Sequence, residues 1–361
     1  MTATVNERVL GLSPYTPGKA MEELERELGI VDSIKLASNE NPRGPSSTVR
    51  VALQESIESI SRYPDAAGFR LKRLLAQQLD VSTDQITLGN GSNDVLELAA
   101  RVALSPGTKG IVGEHCFVVY PLAIAGAHGQ MVVVPSIEWR DDLSKIAEVV
   151  DGETRIIYLA NPNNPTGTYF TDLEIRTLLD EVPSNVWVVI DEAYFEYVSE
   201  DDYPNGVDLA KEYPNVIATR TFSKAYGLAS LRVGYCVSSS YFADLLNRIR
   251  QPFNVNSMAL AAAEAAIQDT DYLTESVQMN SAGMSYLETS LRELGYQFIP
   301  SVANFITFDC GEDATSTYDR LLRLGVIVRP IASYDMPNHL RVTIGTHAEN
   351  ARFIEALESI H

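Results

Sequence analysis

Cysteine is scarce in this 361-residue chain. Cys116, Cys236 and Cys310 are odd in number and far apart, which excludes a disulfide framework and fits a reducing compartment. The five histidines, His115, His128, His339, His347 and His361, form no H-x-x-x-H pair and accompany no C-x-x-C spacing. No metal site is therefore expected, and each histidine reads as a surface or helix-end residue. Basic residues are also few: Lys plus Arg number 28 against 48 Asp plus Glu, a formal net charge of −20, with no Lys/Arg run. Nucleic acid and anionic membranes are poor partners for such a surface. No apolar stretch approaches the ~18 to 20 residues of a membrane helix, and the start, MTATVNERVLGLSPY, lacks a basic segment leading into an apolar one. A cytoplasmic protein is the expectation.

The composition, 45% hydrophobic over 361 residues, suits an ordinary buried core and about two domains at roughly 150 residues each. Short apolar runs recur between helical stretches, at residues 110–113, 131–134, 155–159, 186–190, 216–219 and 233–237. Their hydrophobicity is continuous rather than alternating, and intervening segments such as 173–179 have helical spacing. Buried strands in a mainly parallel sheet covered on both faces, an α/β fold, follow from that pattern. Beyond about residue 250 the pattern changes to an Ala-rich helix, 257–268, another near 272–294, and alternating segments at 304–308 and 340–344. A smaller α+β domain over 251–361 is expected, with a large domain over 36–250. Residues 1–35, with Pro14, Pro17 and Gly18 before an acidic helix at 20–28, read as an arm.

In open parallel sheets ligands sit beyond the carboxyl ends of strands, and three expected strand ends carry reactive groups. After 155–159 comes Asn161-Pro162-Asn163-Asn164-Pro165-Thr166-Gly167; after 186–190, Asp191-Glu192-Ala193-Tyr194; after 216–219, Thr221-Phe222-Ser223-Lys224, with Arg232 eight residues on. Taken singly, each has an ordinary explanation: a turn-rich loop, a helix cap, a solvated lysine. Yet the chain holds only seven lysines, and Lys224 follows a strand expected to be buried, where a low-dielectric pocket would lower its pKa toward a nucleophilic amine. A fourth element, Leu88-Gly89-Asn90-Gly91-Ser92-Asn93-Asp94, runs into an apolar helix. Glycines before a helix start expose backbone N–H groups to an anion, although Ser92 or Asn93 could equally be a plain N-cap. It is neither a Walker loop nor a GxGxxG fingerprint.

An anion cradle, a buried lysine, a carboxylate and a second cation together meet the needs of pyridoxal 5'-phosphate. That cofactor needs an amine for its aldehyde, a carboxylate facing its ring nitrogen, and donors for its phosphate.

These residues resemble the fold type I pyridoxal phosphate enzymes, and among them the class I and II aminotransferases. The likeness runs from LSPYTPGK at Leu12 through LASNENPRGPS, RYPDAAGFRL, LGNGSND, ANPNNPTG, VVIDEAYFEY and TFSKAYGLASLRVGY to VRPIASYDMPNHLRVTIG at Val328. The SNENPxGPS, RYPD and closing VRP segments are similar to the histidinol-phosphate aminotransferase group. The resemblance implies a seven-stranded sheet sandwiched by helices, with Lys224 binding the cofactor and Asp191 facing its ring nitrogen. Asn164 and Tyr194 would meet its hydroxyl. Phe117 would stack on the ring, and Thr221, Ser223, Arg232 and the amides of Ser92 and Asn93 would hold the phosphate. Tyr63 would reach the other subunit's cofactor, implying a homodimer with shared sites and an arm that packs on the small domain and the partner. Tyr15, Asn41, Arg329 and Arg341 would bind substrate. The implied substrates are histidinol phosphate, glutamate and 2-oxoglutarate, in histidine biosynthesis; an aromatic aminotransferase or a threonine-phosphate decarboxylase remains open at this point.

Overall fold

The computed structural model describes residues 5–14, 17–311 and 313–360. Its central sheet has seven strands: β1 (Ile86–Gly89), β2 (Lys109–Gly113), β3 (Gln130–Val134), β4 (Thr154–Ala160), β5 (Trp187–Asp191), β6 (Val216–Thr221) and β7 (Gly234–Val237). Their spatial order is β1-β7-β6-β5-β4-β2-β3. Strands β2 to β6 run parallel, whereas β7 is antiparallel to both neighbours. The continuous apolar runs have a two-sided cause. Ile157 and Leu159 of β4, Val188 and Ile190 of β5, and Val216 and Ala218 of β6 pack into one helical layer. Ile156, Tyr158, Ala160, Val189 and Ile217, one residue out of step, pack into the other. Burying each of the larger of these side chains contributes about 1.5–3 kcal/mol, so both faces of the strands are apolar along most of their length.

Two expectations change. The run 131–134 is the edge strand β3, and its Met131 and Val133 are 42% and 48% exposed; with a neighbour on one side only, its outer face has no layer to bury against. The Ala-rich helix, assigned to the small domain from the change in pattern near residue 250, instead packs on the Ser47–Ser56 helix, with Ala259, Ala262, Ala263 and Ile267 in the large-sheet core. Its alanines permit that close approach of two helices.

Four helices matter below: α1 (Ser92–Ala103), α2 (Val119–Gly126), α3 (Ser257–Ala266), which is the Ala-rich helix, and α4 (Thr270–Glu293). At ~1.5 Å per residue α4 is about 36 Å long, and it enters both cores. Leu273 packs on the large-sheet core, while Met284, Leu287 and Leu291 lie in the core of the smaller unit. That unit is built on an antiparallel sheet of β8 (Phe298–Ile299), β9 (Phe305–Asp309), β10 (Arg329–Pro330) and β11 (His339–Thr343), in the order β8-β9-β11-β10. The beginning of the chain belongs with it. Ile34 and Lys35 pair in parallel with Val326 and Ile327, and Leu24, from the Met21–Leu28 helix, packs with Leu322 and Ile327.

Candidate active site

The carboxyl ends of β4, β5 and β6, the exit of β1 and the entry of the antiparallel β7 all open on one rim. Between this rim and the small sheet lies a cavity lined by Ser92, Asn93, Phe117, Asn164, Asp191, Tyr194, Thr221, Ser223, Lys224, Arg232, Arg329 and Arg341, among others. Twelve of the fifteen residues expected at a site therefore meet here.

At one end, α1 starts at Ser92 after Gly91, whose φ is +80° and which provides no side-chain cap. The possibility that Ser92 or Asn93 caps the helix is thereby excluded: both lie inside its first turn, and their N–H groups carry the positive end of the dipole. The approach is close. A Cβ on Gly91 would fall 2.5 Å from the Arg232 guanidinium, and one on Gly234 would fall 2.5 Å from the Ser92 nitrogen. Arg232, itself at φ +57°, donates to Ser223 Oγ at 3.3 Å, while Thr221 Oγ1 accepts from the Ser223 N–H at 3.1 Å. Helix terminus, hydroxyls and guanidinium converge as a cradle for an anion of phosphate type.

In the middle, Lys224 Nζ donates to the Ser38 carbonyl at 3.1 Å and lies 5.7 Å from the centre of the Tyr194 ring. Burial, reinforced by the positive charge of Arg341, lowers its pKa to about 7. Asp191, 4% exposed, accepts from Tyr120 Oη at 2.9 Å and from Thr219 Oγ1 at 2.9 Å. Burial raises its proton affinity and these hydrogen bonds oppose the rise. Tyr194 accepts from Asn39 Nδ2 at 2.9 Å, and burial pushes its phenol up to about 12, so it stays protonated near neutral pH.

At the far end, Arg341 donates to Asn164 Oδ1 and, at 2.8 Å, to the Ala37 carbonyl; its guanidinium lies 5.2 Å from the Phe305 ring centre. Arg329 is its direct partner across the β10–β11 ladder. Among the described residues lining the cavity, Asp191 is the one carboxylate, against Lys224, Arg232, Arg329 and Arg341. A chain of net charge −20 thus encloses a positive cleft.

The family model "Aminotransferase class I and II" matches residues 31–357. This chain belongs to the class I and II aminotransferases. It is 54% identical to histidinol-phosphate aminotransferase 2 of Pseudomonas fluorescens over 351 residues, covering 97% of this chain and 95% of that protein. It is 51% identical to histidinol-phosphate aminotransferase 1 of Nitrosococcus oceani, covering 98% and 95%. Among solved structures, the histidinol-phosphate aminotransferase of Sinorhizobium meliloti in complex with pyridoxal-5'-phosphate superimposes with a TM-score of 0.91 at 29% identity, over 100% of this chain and 99% of that one.

Two residues expected at this aminotransferase site, Asn41 and Tyr63, are not part of the cavity. Asn41 is buried elsewhere, its Nδ2 donating to the Ala225 carbonyl, Tyr272 Oη and Ser276 Oγ; these bonds tie the 38–42 segment to α4. The asparagine that faces the cavity is Asn39, turned there by a left-handed backbone, φ +55°. Tyr63 is 81% exposed, its ring stacked 4.5 Å from that of Phe253. Tyr15 lies outside the described residues. His115 also departs from expectation: it is buried, with Nδ1 2.7 Å from the Tyr334 carbonyl, in the loop that leads to Phe117. Ser38, Asn39 and Tyr334, which fall within the quoted segments but were not singled out, and Tyr120, which falls in none of them, also line the aminotransferase cavity, and Thr219 lies just behind it.

Proposed function

We propose that this aminotransferase uses pyridoxal 5'-phosphate to exchange an amino group between L-glutamate and imidazole-acetol phosphate, giving 2-oxoglutarate and L-histidinol phosphate in histidine biosynthesis. The observation that carries the reading is a buried lysine of lowered pKa and a buried carboxylate sharing a cleft in which every other charge is positive. The residues fit the cofactor. Gly91 and Gly234 leave space that a Cβ would fill, so α1 and Arg232 can close on a phosphate. Asp191 supports the charge of a protonated ring nitrogen, Tyr194 and Asn164 offer hydrogen bonds to a ring oxygen, and Phe117 covers one face. The substrate assignment is supported by the 51–54% identity to histidinol-phosphate aminotransferases over nearly the whole chain.

The cofactor supplies an electron sink for the pair left when a substrate Cα–H bond breaks. The protein supplies the rest. Lys224, whose proton affinity burial lowers, would hold the cofactor's aldehyde, and its Nζ would take up and return the proton of the substrate Cα. Asp191 stabilises positive charge on the ring nitrogen throughout. Arg329 and Arg341 anchor a carboxylate or a phosphate in turn, because a guanidinium fork matches both.

We further infer a cytoplasmic homodimer in which the exposed Tyr63 completes the partner's phosphate site. The arm ending near residue 35 lies against the small unit, and its partner contact is part of the same reading. The function is tested by loading the enzyme with amino groups from glutamate, removing 2-oxoglutarate, and then offering one acceptor. Faster transfer to imidazole-acetol phosphate than to phenylpyruvate is expected. The reverse preference would make it an aromatic aminotransferase, and carbon dioxide release from threonine phosphate without any keto acid would make it a decarboxylase.

A further inference from the structure

We propose that Tyr120 and Thr219 form a two-sided clamp that keeps Asp191 ionised and fixes the direction of its carboxylate, making both positioning residues for the ring nitrogen it serves. The inference rests on the cofactor reading above.

Asp191 ends β5, buried on both sides. Each of its oxygens has its own donor: Tyr120 Oη reaches Oδ2 at 2.9 Å from α2, and Thr219 Oγ1 reaches Oδ1 at 2.9 Å from β6. With one donor on each oxygen, the carboxylate cannot rotate without breaking both bonds. Neither donor is free to shift. Tyr120 is fully buried and stacks on Tyr158, with ring centres 4.9 Å apart and an interplanar angle of 12°; the Tyr158 hydroxyl is tied to the Leu96 carbonyl in α1 at 2.8 Å. Thr219 is fully buried, and its backbone is Asp191's ladder partner. Tyr120 also meets Phe117 edge to face at 5.8 Å, so the residue that orients the carboxylate braces the aromatic side of the cavity.

The clamp answers a physical problem. A carboxylate taken out of water prefers to be neutral, and a neutral Asp191 cannot support a positive ring nitrogen. Burial raises the proton affinity of Asp191, and the hydrogen bonds from Tyr120 and Thr219 are the largest effects opposing it, ahead of the Ala193 N–H and the charge of Lys224. Toward the carboxylate Tyr120 is the donor, since burial and the Asp191 charge hold its pKa well above the ordinary phenol value and its proton stays in place. The other ionisable groups around Asp191 are Lys224 beyond β6, Tyr194 and Glu192 of its own loop, and Tyr203; Glu192 is already neutralised by Arg220.

The test is cofactor affinity measured against pH by equilibrium dialysis of pyridoxal 5'-phosphate with the full-length protein. It compares wild type with Tyr120→Phe, which keeps the ring stack, Thr219→Val, and the hydroxyl-retaining Thr219→Ser. Loss of one hydrogen bond to a buried charge should weaken binding by about tenfold. The defect should be largest at acidic pH and shrink as pH rises, because Asp191 regains its charge at higher pH when its proton affinity is increased. Thr219→Ser should bind as wild type. Wild-type affinity for Tyr120→Phe and Thr219→Val at every pH would overturn the clamp, as would a defect of constant size across pH, which loss of shape alone would produce. A wild-type protein that binds no cofactor would instead overturn the functional reading beneath it.

Discussion

Arg329 and Arg341 face each other directly across the β10–β11 ladder, both buried, at 9% and 6% exposure. Like charges placed opposite each other destabilise a strand pair, and a bound anion would offset that repulsion. Replacing Arg341 with Gln removes the fork that also holds Asn164 and the Ala37 carbonyl. We expect kcat/KM to fall about a hundredfold for glutamate and for the phosphorylated substrate alike, the scale of a lost charged hydrogen bond of about 2–3 kcal/mol. Steady-state kinetics with both substrates decides it, and a loss confined to one would separate the two anions into different pockets.

Lys224 should show its lowered pKa in the pH dependence of cofactor uptake. Its amine is protonated below about 7 and free above, so the rate at which cofactor-free protein attaches pyridoxal phosphate should rise through that range and level off above it. Linkage gives a second sign. Between the folded value of about 7 and the ordinary 10.5, the unfolded chain holds a proton that the folded chain lacks, and Lys224 therefore makes stability increase with pH across that window. Lys224→Ala should abolish covalent attachment and turnover and flatten both trends. Persistent steady-state turnover in that variant would remove the lysine from its role.

Arg220 and Glu192 form a buried ion pair behind the site, at 2.9 Å, with Glu192 also accepting from the Gly206 N–H at 2.7 Å and Arg220 lying over the Phe195 ring. Arg220→Met strands Glu192 without its cation and should cost about 3–5 kcal/mol. Chemical denaturation measures this. The double variant Arg220→Met, Glu192→Gln should be less damaged than the single one, because no unpaired charge is left in the interior.

Tyr63 offers a test of subunit sharing. If Tyr63 serves the neighbouring subunit of a dimer, pairing a Lys224→Ala chain with a Tyr63→Ala chain leaves one site lacking both residues and the other with both. If Tyr63 serves the neighbouring subunit, refolding an equal mixture should restore about one quarter of wild-type activity, since half the dimers are mixed and each has one intact site. Activity no higher than the mean of the two parents would place Tyr63 elsewhere.

Much of the site was legible because strand ends announce themselves: an apolar run followed by Asp191, by Ser223-Lys224, or by Asn161 to Gly167 shows where the chain leaves a covered layer. What remained hidden depends on distant partners. Tyr120 meets Asp191 across 71 residues and Asn39 meets Tyr194 across 155; Tyr120 carries no local signal, and the SNENPxGPS segment that contains Asn39 does not show which of its asparagines faces the cavity. Asn41 and Asn39 differ only in a left-handed turn that the composition around them does not reveal. The Ala-rich helix was misplaced for a similar reason: its alanines specify close packing against another helix but do not say which one.

The order in which the chain is made gives the architecture a last consequence. The core that holds Asp191, Lys224 and Arg232 is closed by residues up to Ile267, whereas the sheet bearing Arg329 and Arg341 needs nearly the whole remainder, and the segment Ile34–Lys35 must wait for Val326–Ile327 before it has a partner. During synthesis, the rim around Asp191, Lys224 and Arg232 is complete in sequence well before the arginines proposed to hold the substrate. A growing chain can thus acquire its phosphate cradle first and its selectivity last.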